Sequence, residues 1–217
     1  MFVSSVTFKA ERLTRIIDVL VAPAVAAQRI ARDPQYLTPV ILCFLLPLAA
    51  NLALVQYRNA SGSHETILTA LSSAALQGIG AAVWIFLCFL LIGAVTRRQR
   101  ILPVAWSFGV NGSIVASGIP TLAQATVLLI GDAIHGSAHV EATLPSLGWL
   151  VPQGTVTAGL LSPFDIFLVW QVILFSQFLV AFGLAWPARW LLGALIAVIP
   201  PAVSSAMLGY MLSFGRT

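Results

Sequence analysis

Five long apolar stretches run between Thr38 and Phe214, and the short segments around them hold nearly all of the charge. They fall at roughly 38–57, 70–95, 102–131, 164–185 and 190–213, with ends set only to within a few residues. Wound as a helix rising about 1.5 Å per residue, each can cross a hydrocarbon core of roughly 30 Å. Composition agrees: 59% of the 217 residues are hydrophobic and 8% charged, with a mean hydropathy of +0.96. A water-soluble domain of this size carries about a quarter charged residues, so a large soluble core is excluded. The expectation is an all-α integral membrane bundle of five transmembrane helices preceded by two short amphipathic cytoplasmic helices. Residues 1–37 would form the cytoplasmic segment and 38–217 the membrane domain.

Charge placement orients the bundle. Lys9, Arg12, Arg15, Arg29 and Arg32 precede the first span; Arg97, Arg98 and Arg100 separate the second from the third; Arg189 separates the fourth from the fifth. If five spans alternate, these nine basic residues share one side and only Arg58 and Arg216 lie on the other. Basic residues in short loops stay cytoplasmic, which puts the N-terminus inside and the C-terminus outside. An even number of spans would break the nine-to-two division.

The net charge of +4 therefore reads as positive-inside anchoring and attraction to anionic headgroups, not as a nucleic-acid signature. Cys43 and Cys88 both fall within spans, where small apolar thiols serve packing. The start of the chain lacks the basic and apolar regions of a cleavable signal peptide.

From Phe8 to Val21, Leu13, Ile16, Ile17 and Leu20 recur at helical spacing, opposite Glu11, Arg12, Arg15 and Asp18. That amphipathic face is a candidate partner or membrane interface, or a surface that packs on the bundle. Pro23 breaks the helix and suits the first turn of a second one, Ala24 to Arg32. Asp33-Pro34 reads as an N-cap and first-turn proline leading to the first span.

Within the spans, Pro47, Pro120 and Pro200-Pro201 each remove a backbone hydrogen bond. The runs Gly78-Ile79-Gly80-Ala81-Ala82 and Gly112-Ser113-Ile114-Val115-Ala116 offer small faces for close helix contact. Polar groups at depth are Asn51, Gln77, Asn111, Gln124, Gln171 and Gln177, none permanently charged. They suit a polar cavity or interhelical hydrogen bonds. The acid nearest a span, Asp165, falls at the outer edge of the fourth, which disfavours an ion-coupled transporter.

An external loop at about 132–163 carries Asp132, His135, His139 and Glu141. On a helix the two histidines would share a face, but the zincin pattern is absent and Gly131 and Gly136 weaken a helix there. A solvated loop is the simpler reading. The chain has no nucleophile elbow, phosphate-cradling glycine loop or Cys/His catalytic spacing. No enzyme, cofactor or metal is expected.

Two stretches carry a family resemblance. The first is Leu13 to Leu48: amphipathic helix, Ala22-Pro23, a short helix with Arg29-Ile30, Asp33-Pro34, Tyr36-Leu37-Thr38-Pro39 and an apolar span. The second runs from Leu144-Pro145-Ser146-Leu147-Gly148-Trp149 to Ser162-Pro163-Phe164-Asp165-Ile166-Phe167-Leu168-Val169-Trp170-Gln171. In these the chain resembles the bacterial branch of the Yip domain family, polytopic membrane proteins named for interaction with Ypt/Rab GTPases in eukaryotes. The resemblance implies five spans, a cytoplasmic N-terminus, no catalytic residue and a role in trafficking or membrane organisation. The family's eukaryotic Asp-Leu-Tyr-Gly-Pro run is absent, so the resemblance does not extend to GTPase binding. After Pro23 the family's basic and aromatic residues are replaced by Ala24-Val25-Ala26-Ala27.

The leading functional expectation is a non-enzymatic scaffold or partner-binding protein, its partners membrane lipids and a protein or a second copy of itself. The alternative is a small permease, channel or lipid-handling component. One lysine against ten arginines suggests a GC-rich genome, consistent with a bacterium, and with the resemblance to a bacterial branch the expected location is a bacterial inner membrane.

Overall fold

The computed structural model describes residues 17–34, 37–60, 66–97, 100–135, 146–150, 157, 161 and 164–214. Nearly all of these are helical, and no strand occurs among them. After a helical segment over 17–21 come α1 (Pro23–Arg32), α2 (Leu37–Ala60), α3 (Ile67–Val95), α4 (Ile101–Ser113) and α5 (Ile119–His135). A π-helical turn, Ile114–Gly118, joins α4 to α5 without a break. The short 3-10 turn Leu147–Leu150 then precedes α6 (Ile166–Val180) and α7 (Trp186–Phe214).

Among the described residues, four helical segments are long and apolar enough to cross a membrane: Leu37–Val55, Ile67–Val95, Ile101–Gly131 and Trp186–Val203. At most 33% of any of these windows is buried inside the protein. Leu76, Leu91, Leu102 and Leu191 point outward, as side chains facing lipid do and those facing water seldom do in such numbers. The chain is a multi-pass, all-helical protein with the composition of a membrane bundle.

The fourth apolar stretch departs from its expected bounds. Instead of 164–185, the helix α6 covers Ile166–Val180, 15 residues, or about 22 Å against the roughly 30 Å of a hydrocarbon core. Both ends have local causes. Asp165 Oδ1 accepts from Leu168 N at 2.9 Å and caps the start, and Ser146 bridges to Asp165 just outside it. At the other end Gly183 takes φ +73°, a left-handed turn that suits glycine and reverses the chain into α7.

Asp33 also differs from expectation. It closes α1, its backbone N–H reaching Arg29 O at 2.9 Å, and α2 starts four residues later at Leu37. At the start of α3, Thr66 and Thr69 form a reciprocal capping box.

Five phenylalanines form the centre of the bundle. Phe108 stacks on Phe178 at 4.3 Å between centroids, Phe89 stacks on Phe182 at 5.7 Å, and Phe175 meets Phe89 edge-on. Val19, Ala26, Ala27 and Ile30 join the same core. The described part of the N-terminal segment is therefore docked on protein. Of its expected interface residues, Leu20 packs half-buried against this core, Ile17 is exposed, and Leu13 and Ile16 lie outside the described residues.

Close helix crossings occur where glycine removes the Cβ. On α3, Ala70, Ala74, Gly78 and Ala82 recur every four residues and are buried. Pro47 cannot donate to the Cys43 carbonyl one turn back, and Gly78 packs directly on that oxygen. A Cβ at Gly78 would collide with it, whereas one at Gly80 meets nothing within 4 Å. Gly78→Ala is expected to destabilise the bundle by about 1–3 kcal/mol. Gly80→Ala should be neutral or slightly stabilising. Unfolding of the purified protein in mixed detergent micelles checks the pair, and equal effects would contradict this packing.

Candidate functional site

The end of the bundle where α3 meets α4 and α6 meets α7 carries the arginines. Ile101 and Phe182 both pack against Gly93 there, which brings Arg97 and Arg100 to the same end as Arg189. Arg32 and Arg189 line one pocket at that end.

Toward the opposite end, α3, the π turn, α6 and α7 surround a cavity of about 390 Å³. Helix lengths explain it. The segment Ile101–Gly131 has 31 residues and α3 has 29, about 46 and 43 Å of helix. The 15-residue α6 packs its C-terminal half into the phenylalanine cluster and ends at Asp165, short of its neighbours. Phe175 and Ile85 floor the cavity on the arginine side.

One face of α6 supplies Asp165, Leu168, Gln171 and Phe175 at spacings of three and four residues. Gln171 lies about 9 Å along the helix from Asp165. From α3 come Gln77 and Trp84, and from the π turn Ser117. Thr121 Oγ1 approaches Gln77 Oε1 at 3.4 Å and donates to Ser117 O at 2.6 Å. The wall is mostly apolar, with a few polar groups spread along its depth and no lysine or arginine among the lining residues.

The prolines explain how a cavity persists here. Pro120 has no N–H for Ala116 O, Pro200 none for Ile196 O and Pro201 none for Ala197 O. All three proline residues, and Ala116, Ile196 and Ala197 themselves, line the cavity. In lipid such a carbonyl must find another donor. For Ile196 the donor is Trp84, whose indole Nε1–H reaches Ile196 O at 3.1 Å from α3. The π turn spreads the helix before Pro120, with Ile119 N reaching back five residues to Ile114 O.

The six amides take different places. Gln77 and Gln171 meet at the cavity. Gln177 lines the pocket at the arginine end. Asn51 donates to Pro47 O and Asn111 to Ser107 O, both at 2.8 Å within their own helices. Gln124 faces outward. Asp165, read from the sequence as a membrane-edge acid, lines the cavity with the two glutamines. His139 and Glu141 lie outside the described residues, as does the His135 side chain. Among the described residues no cluster of metal-ligating side chains occurs. Sequence reading missed Trp84. Its signal was position: tryptophan favours membrane interfaces, and this one is 17 residues into a 29-residue helix.

No family model, curated protein or solved structure matches the chain.

The Trp84 bond gives a direct test. Trp84→Phe keeps the ring and leaves Ile196 O without its donor, for an expected loss of about 1–3 kcal/mol. Pro200→Ala restores the helical donor, so the same tryptophan change should then cost well under 1 kcal/mol. A double-mutant cycle on detergent unfolding measures this coupling, and additive effects would show that the bond carries no weight.

Proposed function

We propose that the protein is a non-enzymatic five-span membrane protein that holds a small amphiphile in the cavity between α3, α6 and α7, as a lipid-handling or permease component. The observation that carries this reading is the convergence of Gln77, Gln171, Asp165 and three prolines within helices on one cavity. Scattered packing prolines and amides would have no reason to share a lining. The cavity's size is in the range of small-molecule pockets, and its apolar wall with a few polar groups is typical of them. A neutral or cationic head near Asp165 and an apolar tail toward Phe175 match that lining.

The topology in this reading follows the arginines. The arginine end is cytoplasmic, α6 counts as a crossing despite its length, and the C-terminus is external. A helix shorter than the hydrocarbon core crosses by local thinning of the bilayer or by cover from longer neighbours, and α6 has such neighbours. The cavity then faces the external half of the membrane, while the phenylalanine cluster separates it from the cytoplasm. Membership of the Yip domain family and a bacterial inner-membrane location remain part of the proposal, supported by the two sequence stretches and by the arginine-rich composition.

The scaffold reading drew on a free amphipathic face in the N-terminal segment. Of that face Leu20 packs half-buried against the bundle and Ile17 is exposed, while Leu13 and Ile16 lie outside the described residues.

Mass spectrometry of amphiphiles that co-purify in mild detergent tests the proposal. Ala81→Phe fills the cavity and should lower the bound amphiphile by roughly tenfold without changing the elution volume. Gln171→Leu should change which head groups are retained. An inventory unchanged in both variants would sink the reading.

A further inference from the structure

At the arginine end, α1, α6 and α7 border a second, half-open pocket, about 300 Å³, lined by Gln28, Gln177, the half-buried Arg189 and the exposed Arg32. We propose that this pocket is a phosphate-ester site, its ligand either the headgroup of an anionic lipid or a soluble phosphate ester.

Its chemistry is opposite to that of the larger cavity. Two guanidinium groups and two amides line it, with no carboxylate among the lining residues. Of the nearby acids, Asp18 is paired with Arg29, and Asp33 is exposed at the end of α1. Arg189 Nε is sealed from solvent and has no hydrogen-bond partner among the described residues. A buried cationic donor without an acceptor is unfavourable by more than a neutral one. An anion held in the adjoining pocket by the accessible ends of the two guanidinium groups offsets that charge through space, without bonding to Nε itself.

The geometry suits a tetrahedral oxyanion. Gln28 and Arg32 are one turn apart on α1 and share a face. Gln177 approaches from α6 and Arg189 from the first turn of α7. Guanidinium groups bind phosphate oxygens through paired N–H donors, and amide N–H groups take the oxygens that remain. The rest of the α1 wall is Ala24, Ala27 and Ala31, so no side chain from that helix fills the space. Arginines near helix C-termini often serve only to offset the helix dipole. Here neither Arg32 nor Arg189 hydrogen-bonds to the terminal carbonyls of α1 or α6 among the described residues, so that role leaves their donors unspent.

Retention of added lipid, read by native mass spectrometry on the full-length protein in detergent, tests the site. The probes are dioleoylphosphatidylglycerol, dioleoylphosphatidylcholine and glycerol 3-phosphate. The wild type should retain the phosphatidylglycerol over the phosphatidylcholine by at least about fivefold, the factor one surface arginine supplies toward an anionic leaflet. Arg32→Gln with Arg189→Gln should bring the two lipids to parity. Arg97→Gln with Arg100→Gln removes the same charge at the same end and should leave the preference intact. Gln177→Leu, which changes no charge, should reduce it. Displacement of phosphatidylglycerol by millimolar glycerol 3-phosphate, with a rise in melting temperature from that ester alone, would assign a soluble ligand. Failure to displace would assign the lipid. Absence of any preference in the wild type overturns the proposal, as does an equal loss in the Arg97/Arg100 control. The wild-type comparison needs no variant to fold, and neither arm depends on the larger cavity.

Discussion

A carbonyl that loses its helical donor inside lipid must find another, and at the α3–α7 contact this bundle meets that requirement with one side chain. Pro47 frees Cys43 O, which Gly78 covers at van der Waals range. Pro200 frees Ile196 O, which Trp84 takes from α3. Before Pro120 the helix widens into a π turn, where Ser117 and Thr121 hydroxyls donate to the carbonyls of Ser113 and Ser117. The Cys43 and Ile196 carbonyls each need a particular neighbour at a particular depth, whereas the hydroxyl bonds around Pro120 stay within one helix. Pro47 and Pro200 therefore each mark a helix contact.

The second organising fact is unequal helix length. Between neighbours about twice as long, α6 commits one half to the phenylalanine cluster and leaves a polar-tipped cavity beyond its capped start. The two ends of the bundle thereby differ in chemistry. At one end a pocket carries arginines and amides; toward the other a cavity carries an acid, amides and a hydroxyl amid apolar walls. A protein that meets different chemical groups in the two leaflets needs such a difference.

Much of this was legible in the sequence. Apolar length alone gives the helices of the bundle, because a run such as Ile67 to Val95 carries no charge to interrupt it. The kinking prolines and the amides were equally visible. Which amides converge was not. Gln171 and Gln124 look alike along the chain, and only the rotation of each helix decides that one lines a cavity while the other faces outward. The Trp84–Ile196 contact joins residues 112 apart, beyond any local pattern. The length of α6 was hidden because hydrophobicity continues through Ala181 and Phe182 while the backbone turns at Gly183. Hydropathy records the solvent of a residue, not its φ.

Labelling a single cysteine at Gln171, with Cys43 and Cys88 replaced by alanine, tests the central claim most directly. The claim is a cavity in the membrane that opens away from the arginine end. In spheroplasts of an expressing bacterial host, a membrane-impermeant cationic thiosulfonate added outside should modify this cysteine, and prior incubation with the reagent's uncharged analogue should block it. Modification only after the cytoplasmic side is exposed would contradict the orientation. No modification from either side would contradict the open cavity.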